Sequence, residues 1–210
     1  MVEDHQQTTS DRKKHILQVA QKIFARHGLV KTTLDDIAMA VGMKKGSLYY
    51  YFESKEEIFR EVIAQETFEL LEQLKNSIAN EKTPEKKILR YVKVRLDYFR
   101  RMVNLHELSI QVILEAKPIF DKLFWDLRNK ETEILSEIID KAVKQGKFKV
   151  CKATEVASAM LTISNAIKFR EFNSTTRHMA AEIDYSKVER DTNYILKLII
   201  DGLMKEKKKQ

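Results

Sequence analysis

The residues best suited to chemistry with a partner lie together at positions 44–51, in the sequence KKGSLYYY. Lys44 and Lys45 can pair with phosphates or with the O6 and N7 atoms of guanine, and the hydroxyls of Ser47 and Tyr50 can bond phosphates or base edges. Gly46 lets the backbone approach a partner closely, because it has no side chain. Cations, hydroxyls and phenols within eight residues therefore predict a surface that contacts DNA.

Capping residues predict the helices that come before this segment. Ser10 is a good N-cap for a first helix, and Gly28 is placed to end it. Thr33 with Asp36 forms a capping box in which Asp replaces Glu, and it predicts the start of a second, short helix. Gly42 is expected to end that helix and to make a tight turn.

The segment itself is predicted to form a third helix over about 45–51. Leu48 and Phe52 are four residues apart and can both face the core, which leaves the lysines and tyrosines outward. A short helix, a glycine turn and a second short helix are typical of a helix-turn-helix, whose second helix lies in the major groove of DNA. Residues 10–55 carry nine Lys and Arg against four Asp and Glu, and this excess of positive charge suits the same partner.

The composition limits the class of protein. The chain has 210 residues, a hydrophobic fraction of 43%, five Gly and two Pro, and so few breakers predict long helices and an all-α fold. The net charge of +7 allows a polyanionic partner without requiring one. Cys151 is the only cysteine, so we expect no internal disulfide and a reducing compartment. No targeting or membrane-spanning segment is recognisable, and we expect a cytoplasmic protein that does not contact a membrane.

A strong helix start at Thr83-Pro84 divides the chain into two parts. We expect a helix-turn-helix domain over 1–55 and a second domain over 56–210, with a long helix over about 55–78 joining them. About nine helices are predicted in all, and those after the long helix lie at about 85–103, 105–114, 118–144, 152–171 and 185–204.

The last two predicted helices indicate self-association. No charged residue occurs from Val156 to Ile167, and a helix that is apolar or small on every side should be buried on every side. The final helix has a broad apolar face that includes Val188 and Leu198. Since one subunit cannot cover both helices, we expect them to pair with their symmetry mates in a four-helix homodimer interface.

The ordered motif over about residues 12–62 resembles the TetR family of transcriptional regulators. The matching segments are FARHG at the end of the first helix, then TTLDDIAMAVGMKKGSLYYYF, then SKEEI opening the long helix. The resemblance implies about nine helices, dimerisation through the last two, and a ligand cavity in the C-terminal domain. It also implies that Lys55 binds a backbone phosphate at a helix N-terminus. The DNA-contacting residues expected on these grounds are Thr33, Lys44, Lys45, Gly46, Ser47, Tyr49, Tyr50, Tyr51 and Lys55.

Aromatic and polar residues of the second domain are candidate ligand contacts. Aromatic residues at helical spacing are usually core residues, but the cavity implied by the resemblance makes the set a candidate lining. We place that cavity between the long helix and the helices at 85–103 and 118–144. The domain is rich in Leu, Ile and Phe and has no obvious pair of buried charges, which favours an apolar ligand. The candidate ligand contacts are Val92, Phe99, His106, Phe120, Phe124, Asn165 and Phe169.

The leading functional hypothesis is a repressor that leaves its double-stranded DNA operator when it binds a small molecule of unknown identity. The alternative is an activator or global regulator without such an effector. An enzyme is not expected, because the chain has no phosphate-binding glycine loop, no G-x-S-x-G and no H-E-x-x-H. A structural helical adaptor would not need the outward lysines and tyrosines. No cofactor is expected, and the five histidines show no metal-binding spacing.

Overall fold

The computed structural model describes residues 2–105, 109–114 and 125–205, and these residues form helices. The described ranges contain eight helices, a further helical segment at 110–114 and a 3₁₀ turn at Ala180–Glu182. Within the same ranges the only β-structure consists of isolated bridges, so the predicted all-α fold is confirmed. The helices are α1 (Val2–Lys31), α2 (Leu34–Val41), α3 (Lys45–Tyr49), α4 (Lys55–Ala79), α5 (Pro84–Leu105), α6 (Trp125–Lys144), α7 (Ala153–Ser174) and α8 (Tyr185–Leu203).

The caps predicted for the short helices are in place. The Thr33 hydroxyl accepts a hydrogen bond from the Asp36 backbone N–H at 3.2 Å, and the Asp36 carboxylate accepts one from the Thr33 N–H at 2.8 Å. Gly42 ends α2 in the left-handed conformation, with φ of 76°. At the start of α4, the Ser54 hydroxyl accepts from the Glu57 N–H at 3.1 Å. These caps satisfy backbone groups that the helix ends leave without partners.

Helix α1 differs from its prediction at both ends. It begins at Val2 rather than at Ser10, since an N-cap residue can also lie inside a helix. Gly28 leaves the helical conformation (φ 75°, ψ 164°) but makes a kink, and helix resumes up to Lys31. A β-carbon built on Gly28 would lie 3.8 Å from the Val112 side chain, so this kink touches the 110–114 segment.

Helices α1–α3 and the first turns of α4 enclose one hydrophobic cluster, which we call the N-terminal cluster. Leu48 and Phe52 are buried in it, as their spacing predicted. Its fully buried members extend into α4 as far as Val62. The N-terminal cluster comprises Ile16, Leu17, Ala20, Phe24, Ile37, Ala38, Leu48, Phe52, Ile58, Phe59 and Val62.

The later turns of α4 and helices α5–α8 enclose a second, larger cluster. Leu74 of α4 is buried there against α5 and α6, so α4 contributes to both clusters. A smaller cluster joins the end of α5, the 110–114 segment and the end of α7 around Val103 and Phe172. None of the described helices has the length and hydropathy of a membrane span. The larger cluster comprises Leu74, Ile88, Tyr91, Val92, Leu135, Ile138, Ile139, Ala142, Phe148, Ala153, Ala157, Met160, Leu161, Leu196 and Ile200.

The left-handed cap at Gly42 yields a stability prediction. We expect Gly42→Ala to lower the free energy of unfolding by about 1 kcal/mol, because a β-carbon disfavours positive φ. Gly46 is the matched control, since it lies in α3 without positive φ and has equally open surroundings. Gly46→Ala should leave stability unchanged or raise it. Urea denaturation measures both variants, and equal midpoints for the two would contradict the assignment.

Candidate functional site

Helix α3 presents most of the predicted DNA-contacting residues on one exposed side. Lys44, Gly46 and Ser47 are exposed, and Tyr50 is 79% exposed. Tyr49 is about half exposed, so its ring can pack against the protein and still reach a partner. The buried Leu48 packs this helix against the N-terminal cluster, and this contact fixes the orientation of its exposed side.

Tyr51 lies differently from its two neighbours. It is half-buried and packs against the N-terminal cluster. Its ring meets that of Tyr50 edge to face, with centroids 5.2 Å apart and an interplanar angle of 85°. Tyr51 therefore positions the exposed Tyr50 ring more than it offers a surface of its own.

Lys45 is engaged by a neighbouring carboxylate. Its Nζ lies 2.7 Å from Oδ2 of Asp35, on α2, and both side chains are exposed. The hydrogen bond and the charge of Asp35 raise the pKa of Lys45. A phosphate that approaches Lys45 must therefore compete with Asp35, and this side of α3 carries less free positive charge than its two lysines suggest.

Thr33 is committed to the capping box at the start of α2. Its hydroxyl donates to Oδ2 of Asp36 at 2.7 Å while accepting from the Asp36 N–H. The bonds that the Thr33 hydroxyl and the Thr33 backbone N–H donate to the Asp36 carboxylate lower the pKa of Asp36. Because a threonine hydroxyl has a single proton, Thr33 has none left to donate to a phosphate in this geometry. The groups that remain for an anion are backbone N–H groups at the start of α2.

Lys55 has a different role from the phosphate contact that the resemblance implied. Its Nζ donates to the carbonyl oxygens of Leu29, Val30 and Thr32 at 2.9, 3.2 and 2.8 Å. An ammonium group has three N–H donors, so these carbonyls use all of them. Lys55 at the start of α4 thus fixes the end of α1 and its connection to α2, and we revise its role from phosphate ligand to positioning residue.

A chain of polar contacts joins α1, α4 and α5. The ammonium group of Lys13 on α1 pairs with Glu61 on α4 at 2.6 Å. Further along the same two helices, Gln21 donates to the carboxylate of Glu66. The hydroxyl of Tyr98 on α5 donates toward the carboxylate of Glu66 and lies 3.0 Å from its carbonyl oxygen. Glu66 therefore connects the helix-turn-helix to a helix of the C-terminal half.

A buried polar cluster lies among α5, α6 and α7, and sequence reasoning missed it. Arg95 Nε donates to Oε1 of Glu131 at 2.6 Å, and Glu131 is only 3% exposed. Arg95 Nη1 donates to Oδ1 of Asn165 at 3.0 Å. The Tyr91 hydroxyl is buried without a hydrogen-bond partner among the described residues. The premise that this domain lacks a buried charge pair was wrong, because charged residues on apolar stripes meet between helices.

Lys168 of α7 adds a second cation to this region. It is 8% exposed, and its Nζ lies 3.9 Å from the centroid of the Phe99 ring and 5.2 Å from that of Phe169. Burial, reinforced by the charge of Arg95, lowers the pKa of Lys168 to about 7. Lys168 thus titrates near neutral pH, where an anion placed beside it would favour the charged form.

A small cavity in this part of the molecule lies apart from the predicted position. The cavity expected between α4, α5 and α6 stays a prediction, because Phe120 and Phe124 of its wall lie outside the described residues. The small cavity, of about 20 Å³, lies among α5, α7 and α8 and has room for roughly one water molecule. Its lining residues are Val92, Arg95, Leu96, Ser164, Lys168, Val188 and Thr192.

The predicted ligand contacts divide into three groups. Val92 lines the cavity, and Asn165 belongs to the polar cluster. Phe99 and Phe169 contact Lys168 and pack against the smaller hydrophobic cluster. The remaining three lie outside the described residues, and these are His106, Phe120 and Phe124.

Helices α7 and α8 leave an uncovered strip on the protein surface. Small and apolar residues line a shallow groove on α7, among them Ala159 and Ile163. On α8, Tyr194 and Leu198 are exposed, the latter by 53%. Ile199, by contrast, packs against the larger cluster. The all-round burial predicted for α7 therefore does not occur within one chain, which leaves this strip without a partner.

Comparison with known proteins agrees with this geometry. Residues 16–62 match the model of a family described as bacterial regulatory proteins, tetR family. The HTH-type transcriptional regulator YhgD of Bacillus subtilis is 31% identical over 163 residues, which cover 76% of this chain and 83% of that protein. The HTH-type transcriptional repressor KstR2 of Mycolicibacterium smegmatis is 30% identical over 155 residues, or 71% and 73% of the two chains.

The likeness extends to the fold of most of the chain. A crystal structure of a transcriptional regulator from Cytophaga hutchinsonii has a TM-score of 0.72 and 29% identity, and the match covers 90% of this chain and 97% of that one. The family match at 16–62 spans the N-terminal cluster, including its members on α4.

The contacts of Lys55 yield a prediction that separates it from Lys44. Lys55→Met should lower the free energy of unfolding by about 1–3 kcal/mol, because three carbonyls lose a charged donor. Lys44→Met should leave stability unchanged, since the described structure shows no side-chain hydrogen bond or ion pair for that exposed lysine. Urea denaturation followed by circular dichroism measures both. Equal stabilities would show that Lys55 does not hold the end of α1.

Proposed function

The chain belongs to the TetR family of bacterial regulatory proteins, and we propose that it is a repressor that binds its operator as a homodimer and is released by a small ligand. Family membership makes it a DNA-binding transcriptional regulator rather than an enzyme. The repressor assignment draws on the similar KstR2, which is named a transcriptional repressor. The effector-binding and dimerisation roles are assigned to residues 56–210, and the helix-turn-helix to residues 1–55.

The exposed side of α3 carries the proposal of operator binding. Lys44, Ser47 and Tyr50 offer a cation and two hydroxyls on a helix that is anchored through Leu48. A β-carbon added at Gly46 would meet no heavy atom within 4 Å, which leaves space for a close approach to the DNA backbone. Side chains of this kind reach base edges when their helix lies in the major groove.

The uncovered strip on α7 and α8 supports the proposed homodimer. Exposed apolar side chains such as Leu198 and Tyr194, beside a groove of small residues, suit an isologous four-helix interface. Such a dimer holds two α3 helices on one assembly. To read two half-sites, these helices must lie about one DNA turn apart, ~34–36 Å.

The contacts of Glu66 support control of DNA binding by the C-terminal helices. Tyr98 lies one turn beyond Arg95 on α5, so a movement of α5 at the polar cluster acts on Glu66 and, through Gln21, on α1. A ligand that binds better when α4 and α5 are displaced favours, by linkage, a spacing of the α3 helices that no longer fits the operator. A coupling of about 1–3 kcal/mol weakens binding roughly 5- to 150-fold.

One observation favours the alternative of an activator or global regulator without a small effector. The cavity among α5, α7 and α8 has a volume of about 20 Å³, whereas ligand pockets usually measure about 300–1,000 Å³. A ligand must therefore separate these helices in order to enter. If no metabolite or drug-like compound changes operator binding, the alternative is preferred.

Operator binding is tested by gel shift and fluorescence anisotropy with DNA from upstream of the protein's own operon. Tyr50→Ala should weaken specific binding by about 1–3 kcal/mol. Lys44→Met should reduce the slope of log affinity against log salt by about 0.9, since one phosphate contact is lost. Lys55→Met should leave that slope unchanged, because its donors are used within the protein. Lys141→Met, on an exposed part of α6, is the charge control. Wild-type affinity for Tyr50→Ala would remove α3 from the recognition surface.

The homodimer is tested by placing a charge on the uncovered strip. Ala159→Glu and Leu198→Glu should each yield folded monomers, because an unpaired carboxylate would be buried at the interface. Ile199 is unsuitable, since it packs within the chain and a charge there would disturb folding. Lys141→Glu serves as the control. Sedimentation velocity at micromolar concentration gives the answer, and a wild-type monomer would refute the interface.

A further inference from the structure

We propose that the buried cluster of Arg95, Lys168 and Tyr91 binds the carboxylate group of the effector, and that the effector is a carboxylic acid with an apolar body. This inference rests on the proposed function, since it names the ligand class for the C-terminal helices. It also replaces the expectation of a wholly apolar ligand.

The balance of charge at the cluster calls for an anion. Arg95 and Lys168 both line the cavity, and Glu131 is the carboxylate that the described residues place with them. When Lys168 is protonated, two cations therefore face one carboxylate, and burial makes the uncompensated charge costly. One monovalent anion completes the balance, which a carboxylate supplies and a cation or neutral group does not.

Hydrogen-bond donors outnumber acceptors in the same place. Among the described residues, two of the five guanidinium N–H groups of Arg95 have acceptors, on Glu131 and Asn165. The Tyr91 hydroxyl is fully buried close to Glu131, and among the described residues it makes no hydrogen bond of normal geometry. Burial and the nearby charge of Glu131 raise the pKa of Tyr91, so its hydroxyl keeps its proton. Carboxylate oxygens accept from groups of these kinds.

Lys168 lies in an aromatic environment in which the described residues give its ammonium group no hydrogen-bonded counter-ion. Its ammonium rests on the rings of Phe99 and Phe169, and within the described ranges it makes no hydrogen bond. The charged groups that face it are Arg95 from α5 and Glu131 from α6, while α8 presents Thr192 and Val188 to the cavity. A carboxylate beside Lys168 therefore binds the protonated amine and raises its pKa.

The lining of the cavity indicates what is attached to the carboxylate. Val92, Leu96 and Val188 form an apolar wall on α5 and α8, and Ser164 and Thr192 add two hydroxyls. The present volume of about 20 Å³ admits roughly one water molecule. An apolar body must therefore displace α5 from α8, and α5 is the helix that Tyr98 connects to Glu66. Binding of the acid thus acts on the helix that leads to the DNA-binding half.

The test uses the full-length dimer and matched probes that differ in one group. The probes are straight-chain carboxylates from acetate to decanoate and 3-phenylpropionate, each with the amide and amine of the same skeleton, together with inorganic phosphate. Thermal shift at pH 6.5 ranks them, and calorimetry measures affinity. At least one organic carboxylate should raise the melting temperature and bind about tenfold or more tightly than its amide, while amines and phosphate do not compete.

Two lysine variants assign the effect to the cluster. Lys168→Met should fold, since it replaces a buried cation with an apolar side chain of similar length, and it should bind the carboxylate at least about tenfold more weakly. Lys141→Met should bind it like wild type. Between pH 6 and pH 8 the wild-type affinity should fall about tenfold as Lys168 loses its proton, because the pKa of Lys168 is about 7. Lys168→Met should show no such fall.

Several results would overturn the inference. These are equal binding of an amide and its carboxylate, wild-type affinity in Lys168→Met, a response to phosphate alone, or no stabilisation by any carboxylate in the series. Operator binding, measured on the same samples, separates this inference from the proposed function. Release by a neutral or cationic compound would refute the carboxylate site and keep the ligand-released repressor. Tight carboxylate binding that leaves the operator complex intact would keep the carboxylate site and refute the ligand-released repressor.

Discussion

Helix α4 is packed into two hydrophobic clusters, one at each end. Its first turns bury Ile58 and Val62 against α1–α3, and its later turns bury Leu74 against α5 and α6. A continuous helix of 25 residues is ~37 Å long, and it bends sharply only where its hydrogen bonds are interrupted. Because both ends are embedded, a change in the packing of one end must alter the position of the other. The polar contacts of Lys55 and Glu66 strengthen this constraint, since they attach α1 to the same rod.

The charges buried in the C-terminal half are hard to explain by stability. An ion pair such as Arg95–Glu131 loses much hydration energy on burial, and apolar residues of similar size often stabilise a fold as well or better. Lys168 increases this cost, because burial and the neighbouring guanidinium both disfavour its charged form. Folding stability alone therefore does not account for these three charged side chains, and the proposed carboxylate site gives them a role.

Local signals in the sequence predicted local structure well. Thr33 with Asp36, Gly42, and the pair Leu48 and Phe52 act within a few residues, and the structure confirms each. Contacts between distant residues were not predictable in this way, because periodicity reveals which face is buried but not what it meets. The partners of Lys55 lie 23–26 residues before it, and Arg95 meets Glu131 across 36 positions. One signal was available. Lys168 continues the buried stripe of Met160, Leu161 and Ser164 at helical spacing, which marks it as a buried charge.

The bonds from Lys55 to the carbonyls of Leu29, Val30 and Thr32 also set an order of assembly. The junction between α1 and α2 acquires these bonds only after the start of α4 has docked. Ile58, Phe59 and Val62 complete the same cluster from the α4 side. A fragment that stops at residue 55 would retain the recognition helix yet lack the support that closes its core. The smallest DNA-binding fragment that keeps this core therefore includes the first two turns of α4. Such a fragment should end no earlier than Val62.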